Sequence, residues 1–380
     1  MARLFSPLDL GPVRLPNRIV VSPMCQYSAD DGCMSDWHLQ HLMTLAMSGA
    51  GLVVVEATAV ERIGRITHGD TGLYSDANER AMARSLAAAR AVALPGTRFG
   101  IQIAHAGRKA SARRPWEGGT ALADDEDAWQ TVAPSPLALD EGWPVPAALD
   151  EDGIERVRRA FVDAVRRAVR LGFEAVELHM AHGYLLHSFQ SPVSNRREDR
   201  WGGDREGRMA FPLLVARSVR EAVPETVALG ARITGSDWVD GGLGVEDAVA
   251  CAAALKGIGL DYVCVSSGGV APRARIPLGP GYQVPFAAKV KAETGLVTRA
   301  VGLIADPHQA EAIVARGEAD CVALARAMLD NPRWGWHAAE ALGADCPRPP
   351  QYDRAKPSLW PGAQIARPPM QTLPLSVRVG

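Results

Sequence analysis

The stretch "DGIERVRRAFVDAVRRAVRLGFEAVELHM", residues 152–180, joins two hydrophobic periods through a glycine. In its first part Ile154, Val157, Phe161, Val165 and Val169 recur at three- and four-residue steps, with Arg and Asp on the opposite side. That is the pattern of a helix burying one stripe. Gly172 ends the helix, and "FEAVELHM" follows as a short, nearly continuous apolar run. Such runs mark parallel strands covered on both faces.

The same alternation extends outward in both directions. Further candidate strands read as "RIVVSPM" (18–24), "GLVVVEAT" (51–58), "RFGIQIAH" (98–105), "TVALGARIT" (226–234), "LDYVCVSSG" (260–268), "GLVTRAVG" (295–302) and "ADCVALAR" (319–326). Eight strands with helices between them predict a closed (β/α)8 TIM barrel. An open doubly wound sheet is the alternative, but its nucleotide fingerprint is missing. "GAGLVV" and "GGLGVED" both lack the last glycine of G-x-G-x-x-G, and no P-loop occurs. We expect the barrel to occupy 1–345, with a long loop after strand three (about 106–148). A Pro-rich C-terminal arm, 346–380, is expected to pack on the barrel or on a neighbouring subunit.

Composition narrows the function. The chain has 380 residues, 47% of them hydrophobic, and a formal net charge of -2. Near-neutral charge gives no reason to expect nucleic acid or an anionic membrane as a partner. No apolar run is long enough to span a bilayer, and the N-terminus lacks the apolar core of a secretion signal. The six cysteines are scattered without CxxC spacing, which argues against a disulfide framework or a structural zinc. A cytoplasmic protein is the expectation.

In a barrel, chemistry gathers at the C-terminal strand ends. The sequence places Met24, Cys25 and Tyr27 there after strand one, and Ala57 at strand two. Gln102 and His105 come from strand three, His179 and His182 from strand four, and Arg232 from strand five. Gly302 and then Asp306-Pro307 follow strand seven, and Arg326 follows strand eight, the usual phosphate clamp of this fold. The motif "HMAHGYLLH" (179–187) has two readings. His179 and His182 could ligate a metal, which requires a third protein ligand. As neutral donors they could instead hold an oxygen where negative charge develops, with Tyr184 as general acid. Glu177 is expected to face away from His179. His187 is expected to be structural, and the plain alternative makes all three histidines hydrogen-bonded turn residues.

"SPMCQYSADDGCMSDWHLQHL", "EATAVERIGRIT", "IQIAHAGRKAS", "ELHMAHGYLLHSFQSPVSNRREDRWGG" and "ALARAMLDNPRW" together resemble the Old Yellow Enzyme family of flavin ene-reductases, nearest its thermophilic-like, xenobiotic-reductase branch. The resemblance runs from about residue 3 to about 354. It implies non-covalent FMN, with NADPH or NADH as electron donor and an activated alkene as the second substrate. It further implies that His179 and His182 bind the substrate oxygen and that Tyr184 donates the proton. Cys25 would tune the flavin, and Tyr27 would add a second phenol. Pro23, Met24, Ala57 and Gln102 would line the flavin ring, with Arg232 at its N1/O2 edge and Lys109 near the pocket. A homodimer or homotetramer is implied, with Arg354 in "PQYDRA" reaching the neighbouring subunit's site. Two departures stand out. Val301 occupies a position where some xenobiotic reductases carry tryptophan, and Ala325 one where many relatives have glycine. A metal-dependent hydrolase and a non-catalytic barrel are the competing readings. The larger iron–sulfur dienoyl-CoA reductases need more chain and clustered cysteines.

Overall fold

The computed structural model describes residues 2–272 and 274–366; the rest of the expected arm lies outside the described residues. Eight parallel strands close into a barrel. We number them β1 (Ile19–Val21), β2 (Leu52–Ala59), β3 (Arg98–Ala104), β4 (Ala175–Met180), β5 (Ala228–Thr234), β6 (Tyr262–Ser266), β7 (Val297–Ala300) and β8 (Cys321–Leu324). Each pairs with its neighbours in chain order, and β8 returns to β1 through Val322 opposite Ile19. All eight expected strands form, each inside the apolar run that announced it or one residue beyond its end. The helices between them include α1 (Asp36–Ala46), α2 (Asp76–Val92) and α3 (Glu151–Arg170). After β4 come α4 (Leu185–Gln190), α5 (Arg205–Ala222), α6 (Val245–Ile258), α7 (Val284–Thr294), α8 (Pro307–Ala315), α9 (Arg326–Asp330) and α10 (Trp334–Ala341).

The helix of the opening stretch is α3. The Asp150 side chain accepts from the Gly153 N–H and caps its start. Gly172, at φ +78°, turns the chain out of the helix, and the Phe173 N–H returns to the Ala168 carbonyl. Ile154, Val157, Phe161 and Val165 are buried as expected, but Ala164 and Ala168, not Val169, complete the stripe. Through this face the helix packs against β3.

Two cores result. Outward-facing Val53, Val55, Ile101, Ile103, Leu178 and Met180 pack against the helices. Inward-facing Val20, Leu52, Val54, Ala175, Ala228, Tyr262 and Cys264 fill the lower barrel. They meet Leu8, Leu10, Val13 and Leu15 of an antiparallel hairpin, Leu8–Leu10 with Val13–Leu15, which plugs the bottom.

One expectation about facing was wrong. Glu177 and His179 are two residues apart, so strand alternation puts them on the same side. Both point into the barrel, where Glu177 pairs with Arg299 and accepts from Gln102. A second irregularity lies in β2. Alternation from the inward Val54 would send Glu56 inward, but a bulge between Val55 and Ala57 inserts one residue. Ala57 thereby becomes the register partner of Gln102, and Glu56 turns aside to accept from the Gln26 N–H.

The loop after β3 carries three single 3-10 turns and a two-residue parallel pair, Val132–Ala133 with Ala147–Ala148. Side chains order it without periodicity: Arg113 pairs with Glu126, and Trp129 Nε1 donates to the Ile63 carbonyl. Past residue 345, Cys346 is buried against Trp336 and Ala339, and Tyr352 lies beside Trp336. Among the described residues no helix is long and apolar enough to cross a membrane.

Candidate active site

The β4–α4 turn carries the central groups. His182 and Gly183 are both left-handed, at φ +61° and +74°. An added Cβ on Gly183 would lie 2.3 Å from the Gly269 carbonyl oxygen, so the turn is pressed against the loop after β6. Lys109 clamps the contact: its Nζ donates to the His182 carbonyl at 2.9 Å and to that of Gly269 at 3.0 Å. Arg108 adds a bond to the Val270 carbonyl at 2.7 Å. From the other side, the Gly183 N–H donates to His187 Nδ1 at 2.7 Å. That bond leaves the proton of neutral His187 on Nε2, 3.0 Å from Asp237 Oδ1. Burial pushes the Asp237 carboxyl up, but His187 and donors from Leu243 and Ser191 outweigh it and hold the carboxyl below its ordinary value. His187 is therefore a brace of the turn.

The turn brings three rings together. His179 lies edge-to-face with His182 and with Tyr184, ring centres 5.1 and 4.8 Å apart. Burial, reinforced by Arg232 and Lys109, lowers both imidazoles well below 6.5, so both are neutral at physiological pH. The Ala181 N–H donates to His179 Nδ1 at 3.3 Å, so His179 offers an Nε2–H. His182 Nε2 lies 2.7 Å from Ser266 Oγ. Ser266 donates to Gln283 Oε1 and accepts from Arg232 Nη2, so its remaining lone pair takes the His182 Nε2–H. Burial raises the Tyr184 phenol well above 10, and Lys109 Nζ sits 5.0 Å from its ring centre. Burial, with Arg108 adding, brings Lys109 itself down to about 8.

Across the mouth stand Cys25 and Tyr27, the latter at φ +50°. Burial, then Asp70 and Glu56, raise the Cys25 thiol, so it is not a thiolate. Arg114 Nε donates to the Tyr27 carbonyl, and exposed Trp116 meets the Tyr27 ring edge-on.

Beside the histidines opens a cavity of about 310 Å³ bounded by Ser22, Arg232, Ser266, Val301, Gly302, Ala325 and Arg326. Arg232 Nε is buried there without a hydrogen-bond partner. Gly302 adopts φ +112°, where an added Cβ would meet Gln283. Ala325 sits at φ −109°, a backbone open to alanine, and starts α9 without a side-chain cap. The other half of the expected clamp differs. Asp306 caps α8 by accepting from the His308 and Gln309 N–H groups, so that helix start is occupied by its own carboxylate. Phosphate-type donors therefore concentrate at Gly302, Ala325 and Arg326. A small-walled cleft with a guanidinium whose buried Nε is unpartnered, and a second arginine, fits a flavin mononucleotide. Met24 and Pro23 border the same end of β1 and are half-buried. Among the described residues no cluster of three or more His, Cys, Asp or Glu could hold a metal ion.

Residues 3–344 match the NADH:flavin oxidoreductase / NADH oxidase family. The chain belongs to that family. An NADPH dehydrogenase of Geobacillus thermodenitrificans is 41% identical over 353 residues, covering 92% of this chain and 98% of the relative. Morphinone reductase superposes with a TM-score of 0.73 at 28% identity, over 92% of both chains. A 2-naphthoyl-CoA reductase complex gives a TM-score of 0.80 at 24% identity, a likeness of fold alone; this chain spans 52% of that one. The resemblance to Old Yellow Enzymes therefore holds: this is an NAD(P)H-dependent flavin oxidoreductase with FMN as cofactor.

Sequence reasoning missed several site residues. Ser266 and the Arg299–Glu177 pair lie on strands whose apolar pattern was read correctly, and Gln283, Asp70 and Asp237 lie in connecting segments; as isolated polar residues none gave a motif. Arg354 is exposed, within the turn Pro350–Ala355, and meets no other site residue in the single chain.

Proposed function

We propose that this oxidoreductase is an ene-reductase acting on activated alkenes: enones, enals, maleimides or nitroalkenes. Bound FMN supplies the redox chemistry, accepting hydride from NAD(P)H and delivering it to the β-carbon of the alkene. The observation that carries the reading is the neutral pair His179 and His182 sharing a pocket with the un-ionised Tyr184 phenol. His179 Nε2–H binds the carbonyl or nitro oxygen, where negative charge grows as hydride arrives. His182 turns its Nε2–H from Ser266 to the same oxygen. Tyr184, kept protonated by burial, gives its proton to the α-carbon and recovers one from solvent. Arg232 stabilises charge at the flavin N1/O2 edge, and Gln102, Ala57, Pro23 and Met24 line the ring. Gly302, Ala325 and Arg326 hold the phosphate. Cys25 tunes the cofactor, and Tyr27 and Lys109 complete the substrate pocket. The protein acts as a homodimer or homotetramer in the cytoplasm, its barrel spanning 1–345. The described part of the arm, 346–366, packs on the barrel or a neighbour, where Arg354 reaches the partner site, as in the thermophilic-like branch.

The test is the anaerobic visible spectrum, taken before NADPH, after it, and after 2-cyclohexenone. Bleaching by NADPH and return of colour with the enone is the expected result. A reduced flavin that oxygen reoxidises but none of the alkene classes does would refute the ene-reductase reading.

A further inference from the structure

Three side chains break the apolar interior of the barrel at one level. Arg299 on β7 pairs through Nη2 with Glu177 Oε2 on β4. Glu177 Oε1 accepts from Gln102 Nε2 on β3 at 2.8 Å. All three are buried, Arg299 and Glu177 almost completely. Arg299 also lies over the Tyr262 ring, 5.2 Å from its centre, and its Nε and Nη1 have no partner. Burying such a pair costs more than packing two apolar side chains in the same volume. The lower barrel is filled in that cheaper way, so stability does not account for the pair.

What the pair does is orient an amide. A carboxylate only accepts, so ionised Glu177 admits one rotamer of Gln102, amide nitrogen toward the interior. The Gln102 carbonyl oxygen is then the group left for the cofactor. The oxidised isoalloxazine has a single ring N–H, at N3, between two carbonyls. An acceptor matches it, whereas an amide NH2 would face it donor to donor. We propose that Arg299 and Glu177 are positioning residues for FMN, fixing Gln102 so that its oxygen accepts from flavin N3–H. The proposal rests on the reading that Gln102 faces the cofactor.

Arg299 is the cation paired with Glu177 inside the barrel. Arg299 faces it from β7, backed by Tyr262 and Cys264 of β6 and Cys321 of β8, all three raised by burial and hence neutral. His179 and Arg232 stand one step higher on β4 and β5. Burial lowers Arg299 to about 10, so it is a cation at neutral pH. Without that cation the Glu177 carboxylate loses the partner that holds it against Gln102. An amide at 177 would turn the Gln102 amide over, because its oxygen must face Arg299 and its NH2 must face Gln102.

The experiment titrates FMN into apoprotein between pH 6.5 and 9, with circular dichroism confirming the fold. For Arg299→Met the FMN dissociation constant should rise at least 10-fold. For Glu177→Gln the rise should be similar. In wild-type holoenzyme carrying 15N-labelled FMN, the N3–H should be protected from exchange with water. FMN affinities within twofold of wild type in both variants, or free exchange of N3–H in the wild type, would overturn the proposal. If Arg299→Met does not fold, Glu177→Gln and the exchange measurement decide it. Gln102→Met separates the two claims. If it leaves FMN binding unchanged, Gln102 does not face the cofactor. If it weakens binding while Arg299→Met and Glu177→Gln do not, only the positioning role is lost.

Discussion

Gly183→Ala tests whether the catalytic turn depends on backbone contact or only on local flexibility. Two costs follow from the structure. At φ +74° an alanine is in the left-handed region, which costs about 1–2 kcal/mol. The new methyl would also lie 2.3 Å from the Gly269 carbonyl oxygen and 2.8 Å from Val270 Cα. Both are backbone atoms, held by Lys109 and Arg108, so neither can swing away as a side chain would. Overpacking of this kind costs a further ~1–3 kcal/mol. The sum, roughly 2–5 kcal/mol, divided by an unfolding entropy of about 2.1 cal/mol/K per residue over the chain, lowers Tm by about 3–6 °C. The separation of the two loops also shifts His182 and Tyr184, so reoxidation of the flavin by enone should slow more than its reduction by NADPH. Calorimetry and stopped-flow measurement of the two half-reactions read these effects. A Tm within 1 °C of wild type together with unchanged reoxidation would refute the close approach.

Further outcomes follow from the same site. Tyr184→Phe should slow enone reoxidation by roughly 10²–10⁴-fold, the usual yield of a general acid, with flavin reduction unaffected; equal slowing of both half-reactions would count against a proton-donor role. The folded pKa values of His179 and His182 lie below 6.5, so as pH falls through 6.5 the unfolded chain takes up protons first. The stability this contributes is present above 6.5 and lost below it. Relative to a His179→Asn/His182→Asn variant, wild type should lose about 1 kcal/mol per histidine between pH 6.5 and 5.5 in urea unfolding; parallel pH profiles would contradict it. Asp237→Asn puts an NH2 against the Leu243 N–H and Ser191 donors and weakens the partner of His187. It should destabilise the fold and raise KM for enones, while an unaltered KM would separate His187 from the turn. Cys25→Ala should keep FMN and shift its reduction potential, whereas an unchanged potential in spectroelectrochemistry would remove the thiol from flavin tuning.

Much of this was legible before any coordinates, and the exceptions share a cause. The barrel could be read because each strand is apolar on both faces and α3 is amphipathic, so periodicity alone separates them. The motif from His179 to Tyr184 could be read because its groups are adjacent in sequence. The placing of Ala57 was not derivable from alternation, since the bulge at Glu56 reverses the facing without leaving a glycine or proline to mark it. Arg299 in "GLVTRAVG" reads as one polar residue in a strand; only the closed ring shows that it meets Glu177. Asp306 looked like the start of a phosphate site because a capping carboxylate and an open helix N-terminus share the same sequence signal. Gly183 sits in the same motif, but its contact with Gly269 joins residues far apart in the chain.

The pairing of β8 with β1 has a consequence for how the chain is made. Ile19 leaves the ribosome well before its partner Val322. At about 5–20 residues per second, roughly 15–60 s separate them. Throughout that interval one edge of β1 has no strand to bond to, and the growing sheet is an open crescent with its apolar inner face uncovered. The hairpin Leu8–Leu10/Val13–Leu15, made before the barrel strands, has no finished floor to plug until β8 arrives. Closure is therefore a late event, and the nascent chain is at its most adhesive just before β8 emerges.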